Sequence, residues 1–85
     1  MPNYIIVLSK KAKKELDNLS DHIAEPVFKA IAVLEENPRP AGHKKLKGRN
    51  AYRIRSGNYR IIYEIIDNKL IVLVVAVGHR KDIYR

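Results

Sequence analysis

Apolar residues are spaced along this chain in two rhythms, and each rhythm predicts a kind of element. Residues 4–8 form a short apolar, β-prone run and predict a first strand. Ser9 can cap a helix, and Ala12, Leu16 and Leu19 then fall at i, i+4 and i+7, one helical stripe. Lys10, Lys11, Lys13 and Lys14 take the positions between them. Four cations in the first turns oppose the helix dipole, so they read as a solvated face. Ile23, Val27, Ala30, Ile31 and Leu34 repeat at helical spacing and predict a second helix from near Asp21. Pro26 is tolerated only in a first turn, so the regular helix is expected from near Glu25. Asn37-Pro38-Arg39-Pro40 ends it, and a short turn around Ser20 joins the two helices as an antiparallel hairpin.

After a loop over residues 41–50 the period changes to two. Residues 51–56 alternate, and Gly57-Asn58 suits a two-residue type II′ turn with glycine first. Residues 59–66 make the next strand. Asp67-Asn68 is expected as a second tight turn, and residues 69–77 as the last strand. That strand is apolar from Leu70 to Val77, the pattern of burial on both faces. Residues 78–85 read as a polar tail. The order β-α-α-β-β-β predicts an α+β fold of two layers, with a helix hairpin packed on one face of a small, mainly antiparallel sheet.

The length of 85 residues suits one domain over residues 1–85. There is no cysteine, which excludes disulfides and thiol chemistry. The longest apolar run is far shorter than a membrane span, and the first residues lack the basic region of a secretory leader. A cytoplasmic protein with no membrane partner is expected. His22, His43 and His79 lack ligand spacing, so neither a metal nor another cofactor is expected.

Charge changes the picture. Residues 38–63 hold eight basic side chains and no acidic one: Arg39, Lys44, Lys45, Lys47, Arg49, Arg53, Arg55 and Arg60. The rest of the chain is neutral, so the formal charge of +8 is confined to one stretch. Such a footprint points to a polyanion, and the plainer alternative is a solvated basic loop. If Gly57-Asn58 is the turn, Ser56 faces Tyr59, Arg55 faces Arg60 and Arg53 faces Ile62. If Asp67-Asn68 is the next turn, Arg60 also faces Val75. Tyr52, Ile54, Tyr59, Ile61 and Tyr63 then point to the helix-covered side, and the three arginines to the other. Like charges directly opposite each other repel, and an anion between them would remove the penalty. Guanidinium forks suit phosphate. Ile62, Ile66, Ile71, Leu73 and Val75 share that face and form an apolar patch suited to a protein partner. Gly78 can permit a turn that swings His79 and Arg80 back toward the arginines, where His79 could transfer a proton.

Leu46-Lys47-Gly48, the run Tyr52-Arg53-Ile54-Arg55-Ser56-Gly57-Asn58-Tyr59-Arg60-Ile61-Ile62-Tyr63, and Val77-Gly78-His79-Arg80 with Ile83-Tyr84-Arg85 together resemble the RelE/ParE toxin superfamily of type II toxin–antitoxin pairs. The resemblance runs nearly end to end. It implies the same small α+β fold, a cytoplasmic location and a cognate antitoxin, for which the apolar patch is the expected seat. RelE-like members are ribosome-dependent endoribonucleases that cut mRNA in the A site by attack of the 2′-hydroxyl on the adjacent phosphate. ParE-like members bind DNA gyrase, and a third alternative is an inactive relative that binds only an antitoxin or nucleic acid. On the RelE-like reading, Arg53 and Arg55 match positions that are basic in the family, and Arg60 matches a phosphate-contacting arginine. Arg80 matches an arginine near the leaving group, and Tyr84 an aromatic that orients or stacks on a base. Arginine stands at Arg53 and Arg55 where the family often has lysine, and it cannot serve as a base. The proton is therefore assigned to His79, and Lys44, Lys45, Lys47 and Arg49 to the ribosomal RNA backbone.

Overall fold

The computed structural model describes residues 3–79. Strand β1 (Ile5–Leu8) leads into helix α1 (Lys10–Asp17) and helix α2 (Asp21–Val33). Then come β2 (Lys44–Lys45), β3 (Tyr52–Ser56), β4 (Tyr59–Ile66), a 3-10 turn (Asp67–Lys69) and β5 (Ile71–His79). The five strands form one sheet in the order β1-β5-β4-β3-β2. Only β1 runs parallel to its neighbour β5; the other pairs are antiparallel. Two helices on a mainly antiparallel sheet are the α+β architecture the pattern predicts.

Ser9 starts α1 as expected: its Oγ accepts from the Ala12 N–H at 3.0 Å. The same hydroxyl donates to the Val75 carbonyl at 3.0 Å, so the cap also ties the helix to β5. Ala12 and Leu16 from α1, and Val27, Ile31 and Leu34 from the α2 segment, pack on Ile54, Ile61, Tyr63, Val72, Val74 and Val77. This is the main core, and it lies on one side of the sheet. A smaller cluster of Ala51, Ile62 and Ala76, with Leu46 and Val75 against it, lies on the other.

Four details depart from the sequence reading. Helix α2 is regular from Asp21, and Ile23 and Ala24 both donate to the Ser20 carbonyl. Pro26 therefore sits inside the helix; its ring is exposed, so it forfeits one backbone bond while clear of the core. The expected loop at 41–50 contains β2, whose Lys44 and Lys45 pair with Arg53 and Tyr52. The β4–β5 connection is not a two-residue turn. It spans the 3-10 turn and Leu70, held left-handed at φ 53°, and Ile66 pairs with Ile71. Finally, a bulge shifts the β4–β5 register between Ile62 and Tyr63. Together these place Arg60 opposite Gly78, not Val75.

Candidate nucleic-acid interface

The β3–β4 hairpin builds the site. Gly57 takes a positive φ of 59°, as a primed two-residue turn requires. That turn sets Ser56 opposite Tyr59, Arg55 opposite Arg60 and Arg53 opposite Ile62, the register expected from sequence. Ile54, Ile61 and Tyr63 enter the main core, with Tyr52 and Tyr59 packed against it. The three arginines therefore occupy the side without helices.

Each arginine has different surroundings. Arg55 is exposed. Arg60 is half-buried and lies between Arg55 on one side and Gly78 on the other. Arg53 is only 6% exposed, and its Nε has no hydrogen-bond partner among the described residues. It stands between Ile62 on β4 and Lys44 on β2. Lys44 thus joins the arginine side. Lys45 pairs with Tyr52 and takes the opposite parity, while Lys47 and Arg49 lie in the exposed turn between β2 and β3. Like-charged residues directly across a strand pair cost up to about 1 kcal/mol, and here that arrangement occurs at Arg55–Arg60 and again at Lys44–Arg53.

Arg39 is drawn out of the basic stretch. Its Nη2 is 3.0 Å from Asp67 Oδ2, and its guanidinium lies over the Tyr52 ring at 5.4 Å. Tyr4 donates its hydroxyl to the same Asp67 at 2.7 Å. Bonds from Arg39 and then Tyr4 hold the Asp67 carboxyl below its ordinary value, and they raise Arg39 and Tyr4 in turn. Tyr63, fully buried, donates to the Pro38 carbonyl at 2.7 Å, and burial pushes its phenol up to about 12. These contacts fix the loop that enters β2.

His79 is a correction. Gly78 does not turn the chain; β5 runs through it to His79. His79 pairs with Tyr59 and meets its ring edge-on at 5.6 Å, on the parity of the helix-covered side. Arg80 and Tyr84 lie outside the described residues. No group of three potential ligands that could hold a metal ion occurs among the described residues. Of the expected apolar patch, Ile62 is only 2% exposed and has no surface to offer a partner. Val75 is half-buried against the same small cluster. Ile66, Ile71 and Leu73 remain half-buried, and β1 adds Ile5 and Val7, 64% and 40% exposed, opposite Ile71 and Leu73. The all-apolar run of β1 was the signal for those two: a strand apolar at every position faces something on both sides.

The model of the ParE toxin of the type II toxin–antitoxin system parDE matches residues 6–84. The chain belongs to this RelE/ParE toxin family. Among its relatives, the mRNA interferase toxin RelE of Escherichia coli K12 is 32% identical over 80 residues, covering 92% of this chain and 84% of the relative. Toxin RelG of Mycobacterium tuberculosis is 31% identical over 86 residues, covering 96% and 97%. In the intact E. coli RelBE toxin–antitoxin complex, a chain 34% identical superposes with a TM-score of 0.79, covering 89% of this chain and 95% of that one. The isolated E. coli RelE toxin superposes at 0.80, with 32% identity and 89% and 83% coverage. In this chain the two helices occupy one side of the sheet, and the other side carries the arginines and the apolar strip. No helix among the described residues is long and apolar enough to cross a membrane.

Proposed function

We propose that this chain is the toxin of a type II toxin–antitoxin pair and an endoribonuclease that cuts mRNA in the ribosomal A site. The observation that carries this reading is the direct pairing of Arg55 with Arg60 opposite Gly78, beside the buried Arg53. A sheet shaped for stability alone would not oppose two guanidiniums, whereas a phosphate between them turns repulsion into two charge-assisted contacts. The relatives named mRNA interferases support the same reading. In the reaction, the substrate's 2′-oxygen forms a bond to the adjacent phosphorus as the 2′-hydroxyl gives its proton to solvent water. The bond to the 5′-oxygen breaks, and that oxygen takes up a proton. The products are a 2′,3′-cyclic phosphate and a 5′-hydroxyl. Arg55 and Arg60 stabilise the charge that builds on the phosphorane, with Arg53 two residues along β3. Guanidiniums supply this without a metal ion.

Arg80 and Tyr84 keep the roles the family pattern implies, at the leaving oxygen and on a base. His79 is withdrawn from proton transfer because it faces Tyr59 across the sheet from the phosphate side. Lys45, of the opposite parity, and Lys47 and Arg49, in the exposed turn, are assigned to the ribosomal RNA backbone. The cognate antitoxin takes the strip of Ile5, Val7, Ile66, Ile71 and Leu73, exposed or half-buried beside the cationic strands. The test is primer extension on a defined message, with and without ribosomes, comparing wild type, Arg60→Ala and His79→Ala. Ribosome-dependent cuts that are lost in R60A and kept in H79A support the reading. No cuts by folded wild-type protein would overturn it in favour of gyrase, which a supercoiling assay reads directly.

A further inference from the structure

One arrangement occurs twice on the arginine side. Arg55 stands opposite Arg60 across β3 and β4, and Arg53 stands opposite Lys44 across β3 and β2. Arg53 and Arg55 are i and i+2 on one strand, so they share a face about 6.7 Å apart. That separation is comparable with the step between consecutive phosphates on an extended polynucleotide strand. The ion pairs found among the described residues, Lys29–Glu25 and Arg39–Asp67, involve none of Lys44, Arg53 and Arg55. Arg53 is more than nine-tenths buried, and its Nε lacks an acceptor among the described residues. A buried guanidinium in that state is costly, and the charge of a phosphate beside the side chain would offset the cost.

We propose that the two cation pairs are two phosphate subsites on one track along β3. Arg55 and Arg60 take one phosphate of the RNA, and Lys44 and Arg53 take its neighbour. The identity of the strand as mRNA rests on the reading above; the pair of subsites rests on register and burial. Lys44 is then a substrate-contacting residue, distinct from Lys45, Lys47 and Arg49. Two subsites also fix how the strand lies, because consecutive phosphates must fall on consecutive same-face positions of β3.

A chemical double-mutant cycle tests this with the full-length toxin. The probe is a 2′-deoxy trinucleotide, which carries two phosphodiesters and cannot be cleaved. Two further probes have one or the other phosphate replaced by a neutral methylphosphonate. On the parent probe Lys44→Met weakens binding about fivefold or more, the scale of one lost phosphate contact, and Lys44→Arg restores it. The loss shrinks to within about twofold on one of the methylphosphonate probes and persists on the other. Arg55→Met shows the reverse preference. Equal losses on both neutral probes would show a diffuse field and overturn the subsites, as would no loss in K44M. Thermal melts establish that each variant is folded. Primer extension reads the mRNA assignment separately: coupling to single phosphates without ribosome-dependent cuts keeps the two subsites and removes the mRNA-cleavage reading.

Discussion

Replacing Arg53 by methionine is expected to make the protein more stable and less active. Arg53 is 6% exposed, its Nε has no partner among the described residues, and it pairs with Lys44 on one side and Ile62 on the other. Each of these counts against it in the free protein. An unsatisfied buried polar group costs about 1–3 kcal/mol, and the like charge at Lys44 adds up to about 1 kcal/mol. Methionine reaches as far as the arginine Nε, can lie on Ile62, and carries neither penalty. A net gain of about 1–3 kcal/mol follows after some loss of fit. For 85 residues, 1 kcal/mol corresponds to roughly 5–6 °C in Tm, so R53M should melt about 5–15 °C higher than wild type. Cleavage on ribosomes should fall at least tenfold, because the apolar side chain offers no donor to a phosphate. Calorimetry and primer extension on the same preparation give both numbers. A lower Tm in R53M would refute the reasoning, since it would mean that Arg53 holds the fold together and is not kept at its expense.

Tyr63→Phe removes the donor from the buried Pro38 carbonyl and is expected to cost about 1–2 kcal/mol, seen as a drop in Tm. The folded phenol sits at about 12 against an ordinary 10.0, so its contribution is complete below pH 10 and is lost as pH rises toward 12. The gap between wild type and Y63F in urea melts should therefore close over that range. Asp67→Asn removes a carboxylate held below its ordinary 3.8 by Arg39 and Tyr4. Wild type should exceed D67N in stability at neutral pH; the difference should begin to shrink as pH falls below the ordinary 3.8 and vanish as pH falls through the lower folded value. Ser9→Ala breaks both the α1 cap and the bond to the Val75 carbonyl. It should lower stability by about 1–2 kcal/mol, with Val75 and its β5 neighbours losing amide-exchange protection.

The part of the site made by one tight turn was legible in the sequence. Gly57-Asn58 dictates a two-residue hairpin, and the opposition of Arg55 and Arg60 follows by counting. The next strand defeated the same counting for two physical reasons. Leu70 occupies a left-handed conformation that glycine or asparagine usually signals, so its side chain gave no hint of a turn. The bulge in β5 lies within an unbroken apolar run, where inward and outward residues look alike. Strand β2 is two lysines, with no β propensity of their own. It exists because Arg53 and Tyr52 offer an open edge to pair with. Lys44 could therefore be named as basic from sequence but not placed on the arginine side. The placement of His79 failed because glycine permits a turn without requiring one.

The position of the chemistry follows from how little the helices can cover. α1 has 8 residues and α2 has 13, roughly 12 and 20 Å of helix. Five strands span roughly 20 Å from first to last. Helices of that size shield one side of such a sheet, and the other keeps only the small Ala51–Ile62–Ala76 cluster among the described residues. A second side that was apolar throughout would be an aggregation surface. This chain divides it instead: the β1–β5 end keeps Ile5, Val7, Ile71 and Leu73, and the β2–β3–β4 end carries Lys44, Arg53, Arg55 and Arg60. Alternation in β3 and β4 makes that division sharp, because every second residue, Tyr52, Ile54, Tyr59, Ile61 and Tyr63, is committed to the main core and anchors the cation beside it. The arginines are thus held on strands and not on a loop. Because their stems are fixed by the packing of their neighbours, an anion that arrives meets cations already in place, which is the physical basis for expecting affinity at this face.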